Sequence, residues 1–86
     1  MNAETSQINH QSLLREVVER HLHGYFSTLD GQPPTMLYEL VIKEVERGLF
    51  KTVLIYCAGN HSKAAEWLGL SRNTLRKRLA DYGLEI

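Results

Sequence analysis

The chain has 86 residues, ten Lys and Arg against ten Asp and Glu, and a single cysteine, Cys57. This length allows one small domain, and one cysteine excludes both an intramolecular disulfide and a cysteine pair for zinc. No apolar run approaches a membrane span and no signal-peptide pattern opens the chain, so we expect a cytoplasmic protein without cofactor, metal or membrane partner.

The N-terminal part predicts a flexible segment followed by a long helix. Residues 1–10 are polar apart from the isolated Ile8, which predicts a flexible segment. From Gln11 to about Thr28, apolar residues recur every three or four positions, as on one face of a helix. Ser12 stands at the start of this pattern and is the predicted N-cap.

A second long helix is predicted after a short connection. Residues 30–34, Asp-Gly-Gln-Pro-Pro, interrupt the pattern, because glycine allows a left-handed backbone and proline cannot continue a helix. Thr35 is the predicted N-cap of a helix that runs to about Ala58. Tyr38 and Ile42 lie off its main apolar stripe, whereas a monomer needs only one stripe.

The additional apolar residues of the second long helix indicate that the protein is an oligomer. They predict that residues 11–59 form the dimerisation helices of a homodimer, which also suits a chain too short to bury a large core. A closed monomeric four-helix domain is the alternative.

Residues 60–86 predict two short helices joined by a tight turn. Asn60 and Ser71 are the expected N-caps, and Gly69 lies at the turn. Ala65, Gly69 and Leu75 have the spacing of a helix-turn-helix, in which a small residue allows close packing and Leu75 anchors the second helix. Such a second helix docks in the DNA major groove.

The charge distribution supports this interpretation. Residues 1–59 carry five basic and seven acidic side chains, whereas residues 60–86 carry five basic and three acidic ones. A basic third on an acidic body is typical of nucleic-acid binding. An amphipathic helix with a solvated basic face is the alternative. Leu75, Leu79 and Tyr82 recur at i, i+4 and i+7 of the second short helix and predict one apolar stripe that faces inward. The polar positions of this helix are Arg72, Asn73, Thr74, Arg76, Lys77 and Arg78.

Three stretches then resemble a known family: LYELVIKEVE at residues 37–46, GNHSKAAEWLGLSRNTLRKRL at residues 59–79, and Tyr82-Gly83. They are similar to the Fis family of bacterial nucleoid-associated DNA-binding proteins. The resemblance implies an all-α, intertwined homodimer that acts in transcription regulation and nucleoid organisation. Its recognition helices would stand closer together than one turn of straight DNA, so the DNA must bend. The second stretch alone also fits the C-terminal domains of sigma-54-dependent activators.

The resemblance also implies which residues contact DNA. Asn60 and Ser62 would meet phosphate at a helix N-terminus, and Arg72 would reach a guanine edge. The remaining contacts would mainly hold phosphates, with Ser71 standing where the best-known members have a base-proximal Asn. Ala80 and Asp81 replace a pair of lysines, so lower affinity is expected. The full set of candidate contacts is Asn60, Ser62, Ser71, Arg72, Asn73, Thr74, Arg76, Lys77 and Arg78.

The expected partners are therefore double-stranded DNA, a second copy of the chain, and RNA polymerase or other DNA-bound proteins. Two rival functions are less consistent with the sequence. A helical dimer that acts only as a protein-interaction module has no need of the basic cluster. An enzyme needs converging acid, base or nucleophilic groups, and the sequence shows no such pattern.

Overall fold

The computed structural model describes the backbone of residues 3–84 and the side chains of residues 10–84. Over this range the chain forms four α-helices and no strand: α1 (Ala3–Thr28), α2 (Leu37–Tyr56), α3 (His61–Leu68) and α4 (Arg72–Asp81). The predicted all-α class, with two long helices before two short ones, is confirmed. No helix in the described part of the chain is long and apolar enough to cross a membrane.

The first helix begins earlier than its apolar pattern indicates. α1 extends from Ala3, so most of the segment predicted to be flexible is helical, and Ser12 lies inside the helix instead of capping it. The segment is polar and shows no apolar periodicity, yet residues 3–23 contain no Gly or Pro to interrupt a helix. Met1 and Asn2 lie outside the described residues. The end of α1 at Thr28 agrees with the prediction.

The connection between α1 and α2 forms at the predicted Asp-Gly pair. Asp30 and Gly31 have positive φ angles, 51° and 84°. The start of α2 differs from the prediction, because Met36 precedes it with a φ of 52° and no side-chain cap. The N-cap predicted at Thr35 is therefore wrong. Met36 takes that position, and its thioether offers no oxygen to the free N–H groups of the first turn.

Residues 1–35 and 36–86 form two compact units. In the first unit, none of the described side chains of residues 10–35 is buried. Leu13, Leu14 and Val17 are 59%, 63% and 53% exposed. Helix α1 therefore presents several large apolar side chains to solvent.

The second unit contains the buried core. Its helices α3 and α4 pack on the C-terminal part of α2, where Cys57 is buried among apolar side chains. The N-terminal part of α2 is different, since Tyr38, Leu40 and Val45 are all exposed. The buried core residues are Phe50, Leu54, Cys57, Ala64, Ala65, Leu75 and Leu79.

Candidate nucleic-acid interface

The turn between α3 and α4 is closed by two backbone hydrogen bonds. The N–H of Gly69 donates to the carbonyl of Glu66 at 3.2 Å, and the N–H of Leu70 donates to the carbonyl of Ala65 at 3.0 Å. This is the Schellman arrangement, which needs a left-handed residue after the helix. Gly69 supplies it with a φ of 73°. The predicted role of Gly69 is confirmed, and α4 leaves the turn in a fixed direction.

Both short helices have the predicted N-caps. The Oδ1 atom of Asn60 accepts the N–H of Lys63 at 3.1 Å. The Oγ atom of Ser71 accepts the N–H of Thr74 at 3.1 Å, and the Ser71 hydroxyl donates to Thr74 Oγ1 at 2.8 Å. A serine hydroxyl has one proton, so the Ser71 donor is already used on Thr74 before any ligand is considered.

Helix α4 buries one stripe and exposes the other side. Leu75 and Leu79 are fully buried and Tyr82 packs against the same core, as predicted. Arg72, Asn73, Arg76 and Lys77 are exposed. Arg76 Nη2 donates to Asn73 Oδ1 at 3.1 Å. The exposed side therefore carries three cations and an ordered amide.

Arg78 differs from the other basic residues of α4. Its Nη1 atom donates to Oε2 of Glu46 on α2, forming an ion pair. The other carboxylate oxygen of Glu46, Oε1, accepts a hydrogen bond from the Tyr82 hydroxyl. Sequence reasoning missed Glu46, because 32 and 36 residues separate it from these partners and no local pattern joins them.

Two further residues of α2 contact the ring of Tyr82. The Cζ atom of Arg47 lies 5.5 Å from the centroid of the Tyr82 ring, and the Phe50 ring centroid lies 6.1 Å from it. The hydrogen bond to Glu46, together with burial and the negative charge of that carboxylate, raises the pKa of Tyr82 above its ordinary value of 10.0. The phenol therefore remains protonated at neutral pH and stays a donor.

The N-terminal end of α3 contributes a second polar group. Asn60, Ser62 and Lys63 are exposed there. The Nζ atom of Lys63 lies 5.3 Å from the ring centroid of Trp67, which is itself exposed. Lys63 was not among the predicted contacts, although it carries the one positive charge of α3. The described residues show no group of His, Cys, Asp and Glu that could hold a metal ion.

Two family models match the chain. Residues 41–82 match the model described as "Bacterial regulatory protein, Fis family". Residues 1–34 match the model of the N-terminal domain of the DNA-binding protein Fis. Together the two matches span α1 and the helices that carry the candidate interface.

Individual relatives agree with this match over most of their length. The DNA-binding protein Fis of Mannheimia haemolytica is 44% identical over 84 residues, which is 98% of this chain and 84% of the relative. The DNA-binding protein Fis of Psychromonas ingrahamii is 48% identical over 80 residues, 93% of this chain and 80% of the relative. The DNA-binding protein Fis of Vibrio cholerae is 46% identical over 74 residues, which is 86% of this chain and 76% of the relative.

Proposed function

The chain belongs to the Fis family of bacterial regulatory proteins, and we propose that it binds double-stranded DNA as a homodimer and bends it, acting in transcription regulation on the bacterial nucleoid. The observation that carries the proposal is the capped helix α4, which follows a Schellman turn and exposes Arg72, Arg76 and Lys77 on one side. Relatives with 44% to 48% identity are named as DNA-binding proteins.

Each exposed group has a role that suits DNA. Arg72 lies at the first residue of α4, the end that enters the major groove, and its planar guanidinium can span two acceptors of a guanine. Arg76 lies about one turn after Arg72, Lys77 is the next residue, and both would hold phosphates. Asn60 and Ser62 sit at the start of α3, where free N–H groups favour anions. Ser71, Asn73 and Thr74 complete the proposed contact surface.

The exposed apolar side chains support a homodimer. Soluble monomers rarely leave a set of large apolar residues uncovered on long helices. Two copies of α1 and α2 would cover these residues and bring two α4 helices to one DNA molecule, which matches the implication of the family resemblance. The side chains in question are Leu13, Leu14, Val17 and Phe26 of α1, with Tyr38, Leu40, Val45 and Leu49 of α2.

A pair of matched variants tests the dimer. Leu14→Glu adds a negative charge at an exposed apolar position of α1, and Gln11→Glu adds the same charge at an exposed polar position of the same helix. In light scattering we expect wild type and Gln11→Glu to have the mass of two chains. Leu14→Glu should dissociate or unfold. A monomeric mass for the wild type at micromolar concentration contradicts the proposal.

Binding is tested with two DNA duplexes of equal length, one with an AT-rich centre and one with a GC-rich centre. Fluorescence anisotropy is measured for both at two salt concentrations. A protein that bends DNA should prefer the more deformable AT-centred duplex, and its affinity should fall with salt as counterions are released by phosphate contacts. A stable dimer that binds neither duplex would instead favour a protein-interaction module.

A further inference from the structure

Glu46 on α2 contacts Arg78 of α4 and Tyr82, the residue that follows this helix, and the two contacts have a consequence for DNA recognition. We propose that Glu46 is a positioning residue that sets the orientation of α4 on α2, and that Arg78 serves this contact instead of holding a DNA phosphate. The inference rests on the proposed function, because it concerns how the recognition helix is presented to DNA.

The contact uses both oxygens of the carboxylate. Oε2 accepts from Arg78 Nη1, and Oε1 accepts from the Tyr82 hydroxyl. The side chain of Glu46 is only 17% exposed, whereas that of Arg78 is 45% exposed. A carboxylate withdrawn from water to this extent depends on its partners, since unpaired charge is costly to bury. Arg78 and Tyr82 are therefore the groups that keep Glu46 satisfied.

Two further residues of the same part of α2 hold Tyr82. The Arg47 guanidinium lies over its ring at 5.5 Å and the Phe50 ring lies 6.1 Å away. The three contacting residues of α2, Glu46, Arg47 and Phe50, lie within about one helical turn. They therefore form one surface of α2 that contacts the C-terminal end of α4. Apolar packing alone is non-directional, whereas the two hydrogen bonds of Glu46 favour one orientation of α4.

Arg78 is distinguished from the basic residues of the proposed contact surface by its partner on α2. At 3.6 residues per turn it lies about 160° around α4 from Arg76 and about 100° from Lys77, and its guanidinium donates to Glu46. Arg76 and Lys77 lie on the exposed side, and among the described side chains of residues 10–84 neither is paired with a carboxylate. The charge of Arg78 is already neutralised by Glu46, so a phosphate would have to displace that carboxylate.

The orientation of α4 matters because two copies must reach one DNA molecule. In the proposed dimer, α2 is part of the dimer interface. The angle between α4 and α2 therefore sets the distance and the relative orientation of the two α4 helices. A fixed angle imposes a bend on the DNA and penalises a stiff duplex. A loosened angle lets α4 adapt to straighter DNA. Breaking the Glu46 contact should therefore reduce the preference for the AT-centred duplex.

The experiment compares Arg78→Gln with Lys77→Gln, which removes the same charge from the neighbouring, exposed position of α4. Affinity is measured over a salt series for both duplexes, at a temperature where circular dichroism shows each variant fully folded. Lys77→Gln should lower the salt slope by about 1.8 per dimer, since two fewer phosphates are neutralised at about 0.9 each. Arg78→Gln should leave the slope at the wild-type value and reduce the ratio of the two affinities.

Two more variants separate positioning from a role in stability alone. Glu46→Gln and Tyr82→Phe break the contact without removing a basic residue. Both should reduce the ratio of the two affinities. The double variant Glu46→Gln with Arg78→Gln should reduce this ratio no further than either single change, because each single change already breaks the same Glu46–Arg78 contact. A purely structural contact would lower the melting temperature and leave the ratio unchanged, which overturns the inference.

The possible failures are distinguishable. A slope that falls in Arg78→Gln as far as in Lys77→Gln identifies Arg78 as a phosphate ligand and overturns the inference, while the proposed function stands. A wild-type protein that binds neither duplex overturns the proposed function itself.

Discussion

The hydroxyl of Tyr82 donates a hydrogen bond to the carboxylate of Glu46, 36 residues earlier in the chain. This bond joins the C-cap of α4 to the middle of α2. It is available only to the protonated phenol, because a phenolate would face a carboxylate with no proton between them. The pKa of Tyr82 is raised above 10.0 for this reason.

A raised pKa in the folded state makes stability depend on alkaline pH. Tyr82 contributes its full stabilisation below pH 10.0, the ordinary value of the phenol, and loses it as pH rises through the raised pKa. Urea unfolding at intervals above pH 9 should therefore show a falling free energy of unfolding. The fall should be smaller in Tyr82→Phe, which lacks the phenol proton and so loses no hydrogen bond in this pH range. Equal slopes in the two proteins would contradict the hydrogen bond.

Arg72 is predicted to carry most of the base-specific affinity. Arg72→Ala should leave the helices and the dimer intact, since the side chain is exposed. It should weaken specific binding strongly, because a bidentate arginine–guanine contact is worth about 1–3 kcal/mol and a dimer makes two. Arg20→Ala removes the same charge from an exposed site on α1 and is the control. Anisotropy titrations that show equal affinity for both variants would remove Arg72 from the interface.

Ala80 and Asp81 are exposed at the end of α4, where the family resemblance implies a pair of lysines. Ala80 lies one turn after Arg76, so a lysine there extends the same basic side. Replacing both residues by Lys should tighten binding to all duplexes alike, because phosphate contacts carry no sequence information. The salt slope should become steeper by about 0.9 for each additional phosphate that a lysine neutralises. Unchanged affinity at low salt would show that these positions point away from the backbone.

The turn of the helix-turn-helix depends on a backbone angle that only glycine adopts cheaply. Gly69 has a φ of 73°, and a Cβ added there meets no atom within 4 Å. Gly69→Ala should therefore cost about 1–2 kcal/mol of stability through backbone strain alone. Gly48 lies within α2 and has equally open surroundings, so Gly48→Ala should stabilise by about 0.5–1 kcal/mol. Urea denaturation that gives both substitutions the same sign would refute this account.

The helix-turn-helix could be predicted because its signals are local. Asn60 and Ser71 cap the residue three positions further along, and Gly69 closes a turn onto the preceding four residues. Each of these contacts is decided by side-chain chemistry over a few residues. The buried positions Leu75 and Leu79 followed from helical periodicity alone.

The remaining features depend on distant contacts or on weak local signals. The pairing of Glu46 with Arg78 and Tyr82 exists only once α4 folds back onto α2, so no local sequence pattern indicates it. The start of α1 was missed because its first two turns are polar and have no apolar period. Thr35 has good capping chemistry, but the chain turns at Met36 instead.

The most direct test of the proposed function is the distance between the ends of the DNA. The AT-centred duplex carries a donor dye at one end and an acceptor dye at the other, and energy transfer is recorded as the dimer is added at low salt. A homodimer that bends DNA to seat two α4 helices should raise the transfer efficiency at saturation, with the GC-centred duplex requiring more protein. Saturated binding to both duplexes with no change in transfer would show that the protein binds straight DNA, and would contradict the proposed bending.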